Sequence, residues 1–495
     1  MKSNKFIISI VAASVALAAG AQTSFDAAKL YEEELNGTAR YVGMGGAMGA
    51  LGSDPSVISH NPAGIGTYRN SDINMSLGFF GTSVNTDPMV TVYNKGFANG
   101  RTYYSNNNKS ELNMAFDNFS AIFSGYESGD SYLNFGFSYR KLQNMDRDLD
   151  YVDKFYIPDT DNEDQLYAIY REYQDHQRNR INSFDFNLSC NLSDKVYLGW
   201  TIGLLSANAS SEGCFYDYYP SYSAAELEDV DKLVPEYEVG GCDYTAVDKM
   251  NKSDGPGWNM AFGVIVRPIP ALRFGASFKT PTYYRQTLEY SDYLYAFEGT
   301  DFKDENGNVE AFNNAVDYKF SSPWSIDLSA GLTFGHTAIG AEFEKHFTQR
   351  SVLSIGNNKM AGQGAVDFQD YSSLKLGIEQ NISNLSLRAG YNYIEPMFKD
   401  NAFPFLDDSE FNAGKPGEVG RSDFQIDRLG KTRYFTAGLG YCSAPDRDGT
   451  QFYVDMAYVH GLRNSTVNVN EYVEDVDVNY NYKTDKVLLT IGWNF

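Results

Sequence analysis

From Asp72 to the C-terminus, apolar and polar residues alternate with period two in one segment after another. In Ser325–Phe334 (SIDLSAGLTF), Ile326, Leu328, Ala330, Leu332 and Phe334 fall on one face, with Asp327, Ser329 and Thr333 on the other. Phe452, Val454, Met456 and Tyr458 likewise oppose Gln451 and Asp455, and Leu385, Leu387, Ala389, Tyr391 and Tyr393 oppose Ser386, Arg388 and Asn392. Side chains of a strand point alternately to two faces, so each segment has one apolar side and one polar side. Fourteen such strands are predicted. They lie near 72–80, 112–124, 131–142, 182–190, 196–206, 258–267, 272–280, 324–334, 337–345, 372–380, 384–394, 433–441, 451–460 and 486–495.

The connections narrow the architecture. Long, polar, acidic segments (81–111, 143–181, 207–257, 281–323, 346–371, 395–432 and 461–485) alternate with short turns at 125–130, 191–195, 268–271, 335–336, 381–383 and 442–450. A soluble β-sandwich or propeller has no reason to alternate its loop lengths so regularly. A transmembrane β-barrel does: its strands of about 10 residues are joined by short turns on one side and long loops on the other. In hydrocarbon every backbone N–H and C=O must be paired internally, so a spanning sheet must close on itself. The fold expected is an all-β, 14-stranded antiparallel barrel over 72–495, with both termini on the periplasmic side.

The two ends agree with that solvent. Lys2 and Lys5 precede an apolar run from Phe6 to Ala19, followed by Ala19-Gly20-Ala21, which reads as a secretory signal peptide (1–21) cleaved near Ala21. The run is shorter than the roughly 20 residues a spanning helix needs. The last strand, KVLLTIGWNF, ends with Trp493 and Phe495 on its apolar face. A terminal aromatic on such a strand resembles the signal read by the outer-membrane barrel assembly machinery, an expected partner. The location expected is the cell outer membrane.

Composition alters little else. The 37 Tyr and 33 Phe suit aromatic girdles at the membrane interfaces. With 40 basic against 64 acidic residues the net charge is −24, which argues against nucleic acid as a partner. Four cysteines are too few for a disulfide framework, although Cys214 and Cys242 occupy one loop-like region. The five histidines have no metal-ligand spacing and no G-x-S-x-G elbow is present, so no cofactor, metal or enzymatic activity is expected. The acidic runs at 159–164 and 474–477 lack the ordered spacing of a calcium loop. Charges on the inferred lumen face (Arg140, Asp185, Arg273, Lys279, Asp327, Glu342, Glu344, Arg388 and Asp455) must pair or meet water, and are expected to tie the wall to whatever fills the lumen.

Residues 22–71 do not alternate. Phe25–Leu35 is read as a short amphipathic helix with Ser24 as its cap, and Ser53-Asp54-Pro55 as a helix start. Between them lies GTARYVGMGGAMGALGSDPSVISHNPAGIG, Gly37–Gly66. Gly43, Gly45 and Gly49 miss the dinucleotide fingerprint by one residue, and neither a preceding apolar strand nor a Walker lysine accompanies them. These glycines instead suit tight turns and close backbone approach inside a barrel.

That stretch resembles the N-terminal hatch of the FadL/TodX outer-membrane transport proteins, a glycine-rich run followed by an acidic residue and Asn-Pro-Ala just before the first strand. Phe278-Lys279-Thr280-Pro281, Leu387-Arg388-Ala389-Gly390-Tyr391 and the terminal Gly492-Trp493-Asn494-Phe495 extend the resemblance along the mature chain. It implies a 14-stranded barrel plugged by 22–71, and passive passage of long-chain fatty acids or other hydrophobic small molecules through the barrel and out sideways. On this resemblance the candidate substrate and plug residues are Phe25, Gly43, Gly45, Gly46, Asn61, Pro62 and Ala63. The long acidic loops favour an alternative: a barrel of the same fold that docks secreted proteins, similar to the shuttle barrels of type IX secretion.

Overall fold

The structure, a computed structural model, describes residues 30–31, 34–86, 92–93, 100–105, 108–109, 113–128, 131–158, 166–219, 243–296, 311–355, 358–361, 368–399, 425–469 and 476–495. The signal-peptide segment, Phe25, the run 159–164 and Cys242 lie outside the described residues, as does the side chain of Cys214. Among the described cysteines, Cys190 and Cys442 are free thiols.

Fourteen antiparallel strands close into one barrel. They are β1 (Asp72–Thr86), β2 (Asn113–Ser128), β3 (Ser131–Pro158), β4 (Leu166–Leu192), β5 (Val196–Tyr219) and β6 (Asp243–Ile269). Three strands then come in two pieces each: β7 (Leu272–Lys279 and Tyr283–Ala296), β8 (Ala311–Ser321 and Ser325–Phe334) and β9 (Thr337–His346 and Val352–Ile355). The wall is completed by β10 (Tyr371–Ile382), β11 (Leu385–Ile394), β12 (Gln425–Cys442), β13 (Gln451–Val469) and β14 (Val476–Asn494). Each strand pairs with its chain neighbours, and β1 pairs with β14 from Asp72↔Asn494 to Thr86↔Tyr480. At the seam's end Ser71 N–H donates to the Phe495 carbonyl and Phe495 N–H to the Ser71 carbonyl, both at 2.9 Å.

The usual burial rule is inverted, as a lipid-facing wall requires. Leu328 is 55 % exposed and Phe334 53 %, while their inward neighbour Asp327 is 4 % exposed and Glu342 on the next strand 2 %. Several strands run beyond their expected ends: β3 continues to Pro158, β4 begins at Leu166, β5 reaches Tyr219 and β6 begins at Asp243. The expected loops 143–181 and 207–257 are therefore largely extended hairpins. Past the hydrocarbon neither face needs to be apolar, so the alternation stops while the hydrogen-bond ladder continues.

Residues from Leu35 to Tyr68 fill the lumen. Helix α1 (Ala39–Gly43) is capped by Thr38, whose Oγ1 accepts from Tyr41 N–H at 3.1 Å. Two 3₁₀ turns follow, Pro55–Ser59 capped by Asp54 and Pro62–Thr67 capped by Asn61. Both repeat one device: an Asx carboxyl or amide oxygen accepts a backbone N–H while Pro occupies the first turn without wasting a donor. Gly45, Gly46 and Gly52 have φ of 63°, 81° and 65°, where a side chain would be strained. The plug's Val42, Met44, Met48, Leu51, Val57, Ile58 and Ile65 form an apolar cluster with Ile122, Val459 and Leu488 of the wall.

The wall yields room for this packing through its own glycines. A methyl group on Gly390 would overlap the Gly45 nitrogen, one on Gly377 the Met44 carbonyl, and one on Gly340 the Ala47 carbonyl. On the opposite side Gly263 and Gly199 do the same for Asn61 and Pro62. Overpacking such a contact costs about 1–3 kcal/mol. Gly390→Val is thus expected to leave a folded barrel with its plug unseated, read as higher single-channel conductance of the purified protein in planar bilayers. Wild-type conductance from a folded variant would refute the seat.

Candidate functional site

Above the plug lies a cavity of about 100 Å³. One side is apolar: Leu30 from the N-terminal segment meets Leu142, Ile181 and Tyr284 of the wall, all buried. The other side is polar, with Lys279, Glu344, His346, Lys375 and Arg463 among its lining residues. Tyr31 bridges the two by hydrogen bonding to His346 Nδ1 through its hydroxyl. The His346 ring stacks on Tyr371 with centroids 4.4 Å apart. The cavity is amphipathic.

A set of ion pairs links plug and wall, and of its members Lys375 and Glu344 also line the cavity. Arg388 on β11 donates to Glu379 Oε2 at 2.6 Å and to Asp455 Oδ1 at 2.5 Å. Arg40 of α1 grips the same Glu379 with two bonds of 2.9 Å, so one carboxylate on β10 joins the plug to the wall. Arg140 pairs with Asp185 at 2.8 Å and also reaches the hydroxyl of Ser59. Lys375 lies 2.6 Å from Glu342 and 3.2 Å from Glu344. Lys486 lies 3.2 Å from Asp117 and donates to Asn36 of the plug at 3.0 Å. Arg273 donates to the Leu51 carbonyl. Within the plug, burial pushes the Asp54 carboxyl up from its ordinary range, against the pull of Arg40 and of hydrogen bonds from Thr38 and Ser56.

Beside the cavity the wall is interrupted in three adjacent strands at one level. β7 breaks at 280–282, β8 at 322–324 and β9 at 347–351. The β7–β8 ladder runs up to Lys279↔Ser325 and resumes at Tyr283↔Ser321. Between these, Ser322 N–H donates to the Thr282 carbonyl at 2.9 Å and Thr282 N–H to Ser322 Oγ at 2.8 Å. Pro281 and Pro323 supply no N–H there, which is why the ladder cannot continue through them. Thr282, Ser322 and Pro323 line the cavity. At the same level Trp324 stacks on Phe347 at 3.9 Å and approaches Phe278 at 5.8 Å.

The sequence-derived site residues separate into groups. Gly43 and Gly45 lie against β12 and β11 at Gly438 and Gly390, with Thr436 Oγ1 donating to the Gly43 carbonyl at 3.1 Å, while Gly46 faces Leu35 and Tyr41 within the plug. Asn61, Pro62 and Ala63 lie against β4, β5 and β6: Asn61 Nδ2 donates to the Val264 carbonyl at 3.4 Å, and the Pro62 carbonyl accepts from Ser189 Oγ at 2.9 Å. None of these six lines the cavity, whereas their neighbour His60 does. Barrel closure also brings His60 to Glu342 and Glu344, one ligand atom of each lying within 4.8 Å of the others. Histidine spacing along the chain could not reveal this. The inward phase of β9 marked both glutamates as lumen-facing, but which plug residue meets them is decided by the plug's seat.

An all-antiparallel barrel of fourteen strands, plugged by its own N-terminal segment and carrying an amphipathic cavity over the plug, defines a class: the plugged outer-membrane-type β-barrel. Among solved structures the chain is similar to a Pseudomonas aeruginosa FadL homologue, with 12 % identity, 94 % of this chain and 99 % of that chain covered, and a TM-score of 0.59. It is similar to the Ralstonia pickettii toluene transporter TbuX at 12 % identity, with 93 % and 99 % covered and a TM-score of 0.51. The P. putida toluene transporter TodX gives 11 % identity, the same coverage and a TM-score of 0.51. These likenesses are ones of fold. No protein-family model and no curated protein sequence matches the chain.

Removing one partner from a buried ion network costs about 3–5 kcal/mol, because the charges left behind stay buried. Arg388→Met strands Asp455 beside a Glu379 now held by Arg40 alone. It is expected to lower the urea midpoint of the detergent-solubilised protein accordingly. The triple variant Arg388→Met, Glu379→Gln, Asp455→Asn should recover part of that loss.

Proposed function

We propose that this protein is an outer-membrane channel for the passive uptake of hydrophobic small molecules. The observation that carries the reading is the amphipathic cavity seated on a closed plug and directly beside the interrupted wall of β7–β9. A polar solute needs a continuous wet path, and the plug's apolar cluster blocks it. A hydrophobic solute needs only a place to leave water and an adjoining lipid phase. The solved structures of similar fold include two toluene transporters and a FadL homologue, consistent with that class of cargo.

The cavity favours a compact occupant. An apolar cavity of about 150 Å³ accepts benzene, so a space of about 100 Å³ takes the end of a chain as it stands and a single ring only after side chains yield. For a fatty acid, Lys279 and Arg463 stand on the polar side where a carboxylate would sit. From there the path runs past Thr282, Ser322 and Pro323, where few backbone hydrogen bonds must yield.

Uptake by a deletion strain, measured with radiolabelled fatty acids and monoaromatic hydrocarbons, is the direct test. A selective defect supports the reading and unchanged uptake of the whole panel sinks it. Placing a charge among apolar groups costs several kcal/mol, so Ile181→Arg is expected to weaken binding of a fluorescent fatty acid or of toluene by at least a hundredfold. Equal binding by a folded variant would move the ligand elsewhere.

A further inference from the structure

We propose that His60 of the plug, together with Glu342 and Glu344 of β9 and Asp327 of β8, binds a divalent first-row transition-metal ion that staples plug to wall. The proposal is independent of what the channel carries.

Geometry is the first support. One ligand atom each of His60, Glu342 and Glu344 lies within 4.8 Å of the other two. A metal about 2.1 Å from each donor in tetrahedral geometry needs them roughly 3.4 Å apart, so small side-chain rotations complete the set. Both carboxylates are already oriented from outside: Gly49 N–H donates to Glu342 Oε2 at 2.9 Å and Ser325 Oγ to Glu344 Oε1 at 3.2 Å. Orienting bonds of this kind are typical of ligands around a metal. His60 is fixed too, with its ring stacked on Tyr41 at 5.6 Å and its carbonyl accepting from Ser277 Oγ at 2.5 Å.

Asp327 is the second and independent support. It is 4 % exposed, and neither of its carboxylate oxygens has a hydrogen-bond partner. It sits opposite Glu344 in the β8–β9 register, two residue pairs from Glu342↔Ser329 and so on the same inward face. Three carboxylates thus converge, and Lys375 bonds to two of them but not to Asp327. A buried carboxylate without a donor holds either a proton or a cation. A histidine nitrogen poised beside the carboxylates selects a transition metal over Ca²⁺ or Mg²⁺, which prefer all-oxygen shells. Zn²⁺ is the first choice.

The rival account is a proton shared between Asp327 and Glu342, and the experiment separates the two. Full-length mature protein purified in detergent is stripped with a chelator, incubated with Zn²⁺ or Co²⁺, desalted, and assayed by elemental analysis and thermal unfolding. One ion per chain, a rise in the unfolding midpoint with Zn²⁺, and visible Co²⁺ absorption of a four- or five-coordinate site are expected. His60→Asn and Asp327→Asn should each weaken binding at least tenfold, the scale of losing a ligand or its support, and abolish the Zn²⁺-dependent rise. Wild-type protein that retains well under one ion per chain overturns the proposal, whatever the variants do. So does a folded His60→Asn protein that keeps stoichiometric Zn²⁺. An Asp327→Asn protein that is more stable than metal-free wild type, with neither binding Zn²⁺, assigns the site to the shared proton.

Discussion

Pairing of every backbone amide within hydrocarbon is the constraint from which this structure follows. Strand β1 must find β14, and the chain supplies the closure along Asp72–Thr86 with two further bonds at Ser71 and Phe495. Once the sheet is closed, its outer face must be apolar and its inner face is left to polar side chains. Asp327, Glu342, Arg388 and Asp455 are buried for that reason, not because burial favours them. An interior built from charges then needs partners.

The plug supplies them, and it brings a conventional apolar core into the lumen. Arg40 completes the Arg388–Glu379–Asp455 set, Ser59 adds to the Arg140–Asp185 pair, and Asn36 receives Lys486. Desolvated ion pairs contribute little net stability against well-packed apolar groups, but they penalise any arrangement in which one member is missing. Their effect is to fix where the plug sits. The glycine contacts act the same way by shape, since Met44–Ala47 and Asn61–Pro62 fit only where the wall has no Cβ.

Against this tightly paired lumen, the stretch at β7–β9 stands out. Three neighbouring strands lose their ladder at one height, two of them at prolines, and the cavity opens beside it. A closed barrel tolerates such a gap because the strands above and below remain paired. Plug, cavity and gap together are the features on which the proposed sideways passage rests.

Much of this was legible in the chain. Period-two alternation gave all fourteen strands, because lipid on one side and a polar lumen on the other enforce it residue by residue. The phase of each strand identified Arg140, Asp185, Glu342, Arg388 and Asp455 as inward-facing. The extended hairpins beyond the membrane were not legible, since nothing there requires alternation. Two short motifs, Phe278-Lys279-Thr280-Pro281 and Leu387-Arg388-Ala389-Gly390-Tyr391, were visible as resemblances, but only the fold made the first an edge of the wall break and the second a seat for Gly45. The glycines of Gly37–Gly66 announced tight turns; which wall each turn meets, and that His60 rather than Asn61 faces the cavity, depended on barrel closure. Periodicity is a local consequence of solvent and is written along the chain. Contacts between a plug residue and strands hundreds of residues away arise only when the closed sheet brings them together, so they belong to the tertiary structure alone.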